Sequence, residues 1–148
     1  MPHINLLYPF RPRSDFLTVL PDLAAACASV GPFGITLGEF RFFRHGSGRC
    51  TLWLVPEPAE DLRHLQGCLQ AAFPDCDDLS RFSAGFTPHL SVGQCPSSRE
   101  GERLREQLQA GWRPITFTLA EVALLARGET SPFVVEQWVP LARPVRDA

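Results

Sequence analysis

The chain repeats itself, and the repeat limits the folds open to it. Residues 3–43 read as a histidine-bearing strand, a helix and a strand, and residues 89–126 read the same way. The copies close on similar runs, Ile35-Thr-Leu-Gly-Glu-Phe and Phe117-Thr-Leu-Ala-Glu-Val. Each is followed by a turn and a strand with a tryptophan, Trp53 or Trp138. Alternating strands and helices place the chain in the mixed α/β class. A further strand and helix, residues 50–73, precede the second copy. The first copy lacks that pair. The expectation is that sequence before Met1, or a partner, supplies it, or that the fold is a trimmed version.

Periodicity fixes the element types. Residues 3–8 predict a short strand ended by Pro9. Ser14 is placed to cap a helix running to about Val30, with Phe16, Leu20, Leu23 and Cys27 on one face. Pro21 is expected to kink or split it. Residues 33–43 predict a strand with Ile35, Leu37, Glu39, Arg41 and Phe43 on one side. A turn at 45–48 leads to a strand at 50–55. Residues 60–73 predict a helix buried through Leu62, Leu65, Leu69 and Phe73, followed by an acidic loop. Residues 86–92 predict a strand. Ser97 or Ser98 caps the next helix, with Ser97 and Glu100 at capping-box spacing and Leu104, Leu108 and Trp112 on its buried face. Residues 115–126 and 133–141 predict two more strands, and the last few residues, through Asp147, read as loose.

A chain of 148 residues with 45% apolar content reads as one domain, residues 1–148, with a real core. Fourteen Lys and Arg against 16 Asp and Glu give a net charge of -2. That balance argues against coating long double-stranded nucleic acid but leaves room for a small phosphorylated ligand or an RNA terminus. No apolar run is long enough for a membrane helix, and the N-terminus lacks the order of a signal peptide. Five cysteines without a C-x-x-C pair favour free thiols in a reducing, cytoplasmic setting. Cys27 and Cys68 read as small core residues.

The repeat aligns two triplets, His3-Ile4-Asn5 and His89-Leu90-Ser91, each preceded by proline. Residues two apart on a strand share a face, so His3 points with Asn5 and His89 with Ser91. Brought side by side, the two imidazoles suit phosphodiester cleavage without a metal. One neutral imidazole takes a proton from water or a ribose hydroxyl, and the other, protonated, gives one to the leaving oxygen. Asn5 and Ser91 are donors for the non-bridging phosphate oxygens. Tyr8 and Phe86 flank the motifs as candidate base-stacking residues. Arg44 and Arg127 follow repeat-equivalent strands and are candidate phosphate contacts. His45 and His64 read as surface residues. Asp75, Asp77 and Asp78 lack a calcium-loop pattern, and no metal or other cofactor is expected.

The segments Pro2-His-Ile-Asn-Leu-Leu-Tyr-Pro-Phe10 and Phe86-Thr-Pro-His-Leu-Ser-Val-Gly93 resemble the two signature motifs of the two-histidine (2H) phosphoesterase superfamily, 2′-5′ RNA ligase-like group. The resemblance spans nearly the whole chain. It implies an α+β, bilobal fold, with two pseudo-symmetric lobes of antiparallel sheet around a central cleft and helices outside. It also implies a metal-independent phosphodiesterase acting on 2′,3′-cyclic phosphates or 2′-5′ linked nucleotides. His3 and His89 match the family's acid/base pair, and Ser91 matches a phosphate-binding position. Asn5 stands where the family has Thr or Ser. Two other readings stay open: a nucleotide- or RNA-end-binding module of the same fold, and an enzyme using a Pro2 N-terminal amine. The oligomeric state is left open.

Overall fold

Strand β1 (Phe33–Arg44) is the longest and joins the two copies. In the computed structural model, which describes residues 2–79 and 85–142, β1 pairs along its first half with β4 (Ile115–Leu119) and along its second with β2 (Cys50–Glu57). The far edge of β2 takes β3 (Leu90–Cys95), so the antiparallel sheet runs β3-β2-β1-β4. β5 (Glu121–Ala126) and β6 (Val134–Pro140) form a second, two-stranded antiparallel sheet. Three helices complete the α+β fold: α1 (Phe16–Cys27), α2 (Ala59–Ala72) and α3 (Ser98–Gly111). The expectation of loose residues through Asp147 falls outside the described residues.

The duplication is visible as a local two-fold. Ile35 and Phe117, equivalent in the repeat, face each other across the β1–β4 ladder. Thr36 pairs with Thr116, and their hydroxyls lie 3.0 Å apart. The copies then diverge at one equivalent residue. At Gly38 the first copy bulges, with the register slipping between Leu37 and Glu39. At Ala120 the second copy leaves its sheet. Residues 115–126 are therefore two strands in two sheets, not one.

The bulge corrects the expected alternation along β1. Ile35, Leu37 and Phe40 are buried in one cluster, with Phe42 packed against it. Glu39, Arg41 and Phe43 take the other side. The slipped peptides find partners on α3: the Gln109 amide donates to the Gly38 carbonyl at 3.0 Å and accepts from the Phe40 N–H at 2.8 Å. Trp112 Nε1 donates to the Leu37 carbonyl at 2.8 Å. Gln109→Ala strips two of these bonds from part-buried backbone. It is expected to cost about 2 kcal/mol, read as a lower urea midpoint.

Two apolar clusters fill the interior. One gathers Phe16, Leu23 and Cys27 of α1, Leu65 and Leu69 of α2, Leu124 of β5 and Val139 of β6. The other lies under the four-stranded sheet and includes Leu52, Leu54 and Leu62. Helix α2 reaches both, with Leu62 in one and Leu65 in the other. Burial lifts the Cys27 thiol from its ordinary 9.0 to about 11. The unfolded chain ionises Cys27 first, so stability is full below about pH 9 and falls between about 9 and 11, by at most ~1.4 kcal/mol per pH unit. Cys27→Ala is expected to flatten that alkaline limb of a pH–stability curve.

Several expected elements differ in detail. Residues 3–8 are irregular and belong to no ladder among the described residues. Their anchoring is through side chains: Ile4 packs on the second cluster, Leu7 on the first and Leu6 on both. Adjacent leucines both turned inward do not fit a strand's period of two, and Pro9 has no N–H for a ladder. Pro21 neither splits nor ends α1. The carbonyl it leaves without a donor belongs to Leu17, 83% exposed, on the solvent side of the helix. Ser14 does not cap α1; it sits in a 3₁₀ turn, Arg13–Asp15, and its hydroxyl donates to Asp15. Ser97 does cap α3, accepting from the Glu100 N–H at 3.2 Å. Leu104 of α3 and Trp112, just past its end, pack inward, but Leu108 is exposed. The strand expected at 86–92 begins only at Leu90.

Candidate functional site

Residues 86–89 lead irregularly into β3, with Phe86 and Pro88 buried and His89 half-buried. The His89 ring meets Phe43 of β1 edge to face at 5.0 Å and Trp53 of β2 at 5.9 Å. Those two rings stack on each other at 4.7 Å. The bulge at Gly38 is what turns Phe43 to this side, opposite the core residues Phe40 and Phe42. His89 Nδ1 lies 2.8 Å from the Thr87 carbonyl, which only accepts, so Nδ1 carries the hydrogen there and Nε2 is left for chemistry. Ser91 is exposed and stands across from Trp53 in the β2–β3 register. The buried Trp53 Nε1 has no partner among the described residues.

The first motif is held differently. His3 meets Phe133, at the foot of β6, edge to face at 5.1 Å. The Arg127 guanidinium lies over the same Phe133 ring, 4.6 Å from its centre. Asn5 is half-buried. The segment's far end is tied down by a bidentate Arg11–Asp75 pair, which holds the Asp75 carboxyl below its usual range.

The middle residues of the two triplets converge. Ile4 and Leu90 pack on the same apolar cluster and line the same cavity of about 510 Å³. His3, Asn5, Tyr8, Phe117, Phe133 and Trp138 also border it, whereas His89 and Ser91 do not. That volume suits a nucleotide-sized ligand.

The other sequence candidates separate. Tyr8 is 46% exposed on the cavity rim. Phe86 is only 9% exposed, so it presents no open face for stacking. Arg44 is not brought to His89. Its guanidinium lies over Phe42, 5.5 Å from the ring centre, beside Glu102 and Glu106 of α3, because residues 42 and 44 share the face opposite Phe43. Arg127 does reach a histidine's surroundings. On the His89 side, Arg41 is occupied by Glu39 through bonds of 2.8 and 2.9 Å, which hold the Glu39 carboxyl below its usual range. His45 and His64 are exposed, and His45 Nε2 lies 2.9 Å from the Thr51 hydroxyl. Phe43, Trp53 and Phe133 are the neighbours that motif reading missed. The only sequence signal for them was the repeated tryptophan strand.

Among the described residues no group of three or more His, Cys, Asp or Glu is placed to hold a metal ion, and no helix is long and apolar enough to cross a membrane.

A comparison with functionally curated proteins finds no match. Among solved structures, the chain is similar to TT0787 of Thermus thermophilus, with a TM-score of 0.61 over 97% of this chain and 79% of that one. The two are 20% identical, so the likeness speaks for the fold. The sequence model of the 2′-5′ RNA ligase superfamily matches residues 1–131, a span that takes in both histidine motifs, both copies of the repeat and the Arg127 position. With the fold and the paired motifs, that match makes this chain a member of the 2′-5′ RNA ligase superfamily, whose members are phosphoesterases and RNA ligases.

Proposed function

We propose that the protein is a metal-independent phosphodiesterase that opens 2′,3′-cyclic phosphates or cleaves 2′-5′ linkages at nucleotides or RNA ends. The observation that carries this reading is the convergence of Ile4 and Leu90 on one cluster and one cavity wall. His3 and Asn5 border that cavity beside Ile4, whereas His89 and Ser91, on either side of Leu90, lie outside its lining.

In the proposed reaction, one neutral imidazole takes a proton from water as its oxygen attacks phosphorus. The bond from phosphorus to a ribose oxygen breaks, and that oxygen takes its proton from the second, protonated imidazole. The product is a phosphomonoester and a free hydroxyl. Asn5 and Ser91 donate to the non-bridging oxygens as charge builds. The Thr87 carbonyl fixes the His89 ring through Nδ1, so Nε2 is its working atom.

A second reading, a nucleotide-binding module with little turnover, is favoured by one observation. His3 and Asn5 lie on a segment without ladder bonds among the described residues, so no sheet register fixes their placement. Incubation with the four 2′,3′-cyclic mononucleotides and a 2′-5′ linked dinucleotide, in EDTA, tests both. Product formation is the expected result. Binding without product supports the second reading.

A further inference from the structure

The β5–β6 ladder ends at the rung between Ala126 and Val134. The next residue on each strand is Arg127 and Phe133, so the two fall opposite one another where the hairpin opens. That position explains why the Arg127 guanidinium settles on the Phe133 ring at 4.6 Å. The loop between them is closed by the Gly128 N–H donating to the Ser131 hydroxyl at 2.8 Å. The nearby carboxylate on β6, Glu136, pairs instead with Arg13 at 2.9 Å. Arg127 has no ion pair among the described residues, and the ring that carries it is the one His3 meets.

We propose that Arg127, positioned by Phe133, is an anion subsite beside His3 that binds a phosphate of the substrate. The proposal rests on the phosphodiesterase reading for its substrate class but not for its binding chemistry. A guanidinium is charged at every working pH and presents two parallel N–H donors to a phosphate edge. Seating it on a ring keeps it in place without neutralising it, as a carboxylate partner would. Among the described residues the His89 side offers no such arginine: Arg41 is paired to Glu39, and Arg44 lies on the other face of β1. The subsite orients a substrate with an anionic group toward His3. The phosphate is either the reacting one or a second, terminal one on the same nucleotide.

The test is calorimetric binding to the full chain with three probes: inorganic phosphate, and a product-like nucleoside 3′-monophosphate with and without a 5′-phosphate. Arg127→Ala is expected to weaken binding about tenfold or more, with Arg127→Lys recovering only part. Phe133→Leu is expected to weaken it several-fold and Phe133→Tyr to restore it, which a loss of general stability would not do. Equal losses with both nucleotides assign the reacting phosphate. A loss confined to the 5′-phosphorylated one assigns the terminal phosphate. Unchanged affinity in Arg127→Ala for all three probes overturns the proposal, as does absence of binding to the wild type. Arg127-dependent binding without turnover overturns the phosphodiesterase reading and leaves the subsite standing.

Discussion

Replacing His3 or His89 by alanine is expected to lower kcat/KM by about a thousandfold or more, with binding of the product nucleotide changed far less. The size follows from the proposed acid/base roles. Without a base the attacking water keeps its proton, and without an acid the ribose oxygen leaves as an alkoxide. The double variant is expected to fall little below either single one, because the two groups act in one event and their effects do not add. Steady-state assays of the three variants, with product regiochemistry read by chromatography, are the measurement. Full activity in either single variant would remove that histidine from the mechanism. Ser91→Ala, losing a donor and not a proton carrier, belongs in a milder class of about ten- to a hundredfold.

The largest expected loss of stability is at Leu65. It is 0% exposed on α2, inside the first cluster, while Leu62 one turn earlier enters the second. Leu65→Ala removes three buried carbons and leaves space that packed neighbours fill only in part, for a cost of about 3 kcal/mol. In a chain this long that lowers the melting temperature by about 6–12 °C. Trp53, Trp112 and Trp138 lie in different parts of the molecule, so fluorescence follows whether both clusters melt together. Leu17→Ala on exposed α1 surface is the control, expected within about 0.5 kcal/mol of wild type.

Much of this architecture was legible in the residues. Helical faces such as Phe16-Leu23-Cys27 and Leu62-Leu65-Leu69 are stamped by three- and four-residue spacing, and burial follows them. The repeat pointed to the two histidine segments lying side by side as strands; instead its closing strands pair about a local two-fold, through Ile35 and Phe117, and residues 3–8 join no ladder among the described residues. What escaped were features fixed by long-range contacts. The bulge at Gly38 depends on Gln109, 71 residues away. The change of sheet at Ala120 sits within a run that reads as one strand. The irregular state of residues 3–8 reflects two adjacent leucines both turned inward, Leu6 onto both clusters and Leu7 onto the first. At the candidate site, the histidine triplets stood out because the repeat aligned them. Their aromatic supports did not, because Phe43 turns to His89 only once the bulge has shifted the register.

The matched residues Gly38 and Ala120 also bear on how such a molecule adapts. Each is a joint in the strand that closes its copy, not in the segment that carries the histidine. One joint keeps its strand whole by slipping a peptide, and the other hands its strand to a new sheet. Duplicated halves usually diverge by changing what they hold. Here they also differ in how the shared backbone bends, at positions that carry no reacting group. A change of backbone angle at either joint would therefore reshape the sheets while leaving the residues proposed as the acid/base pair as they are.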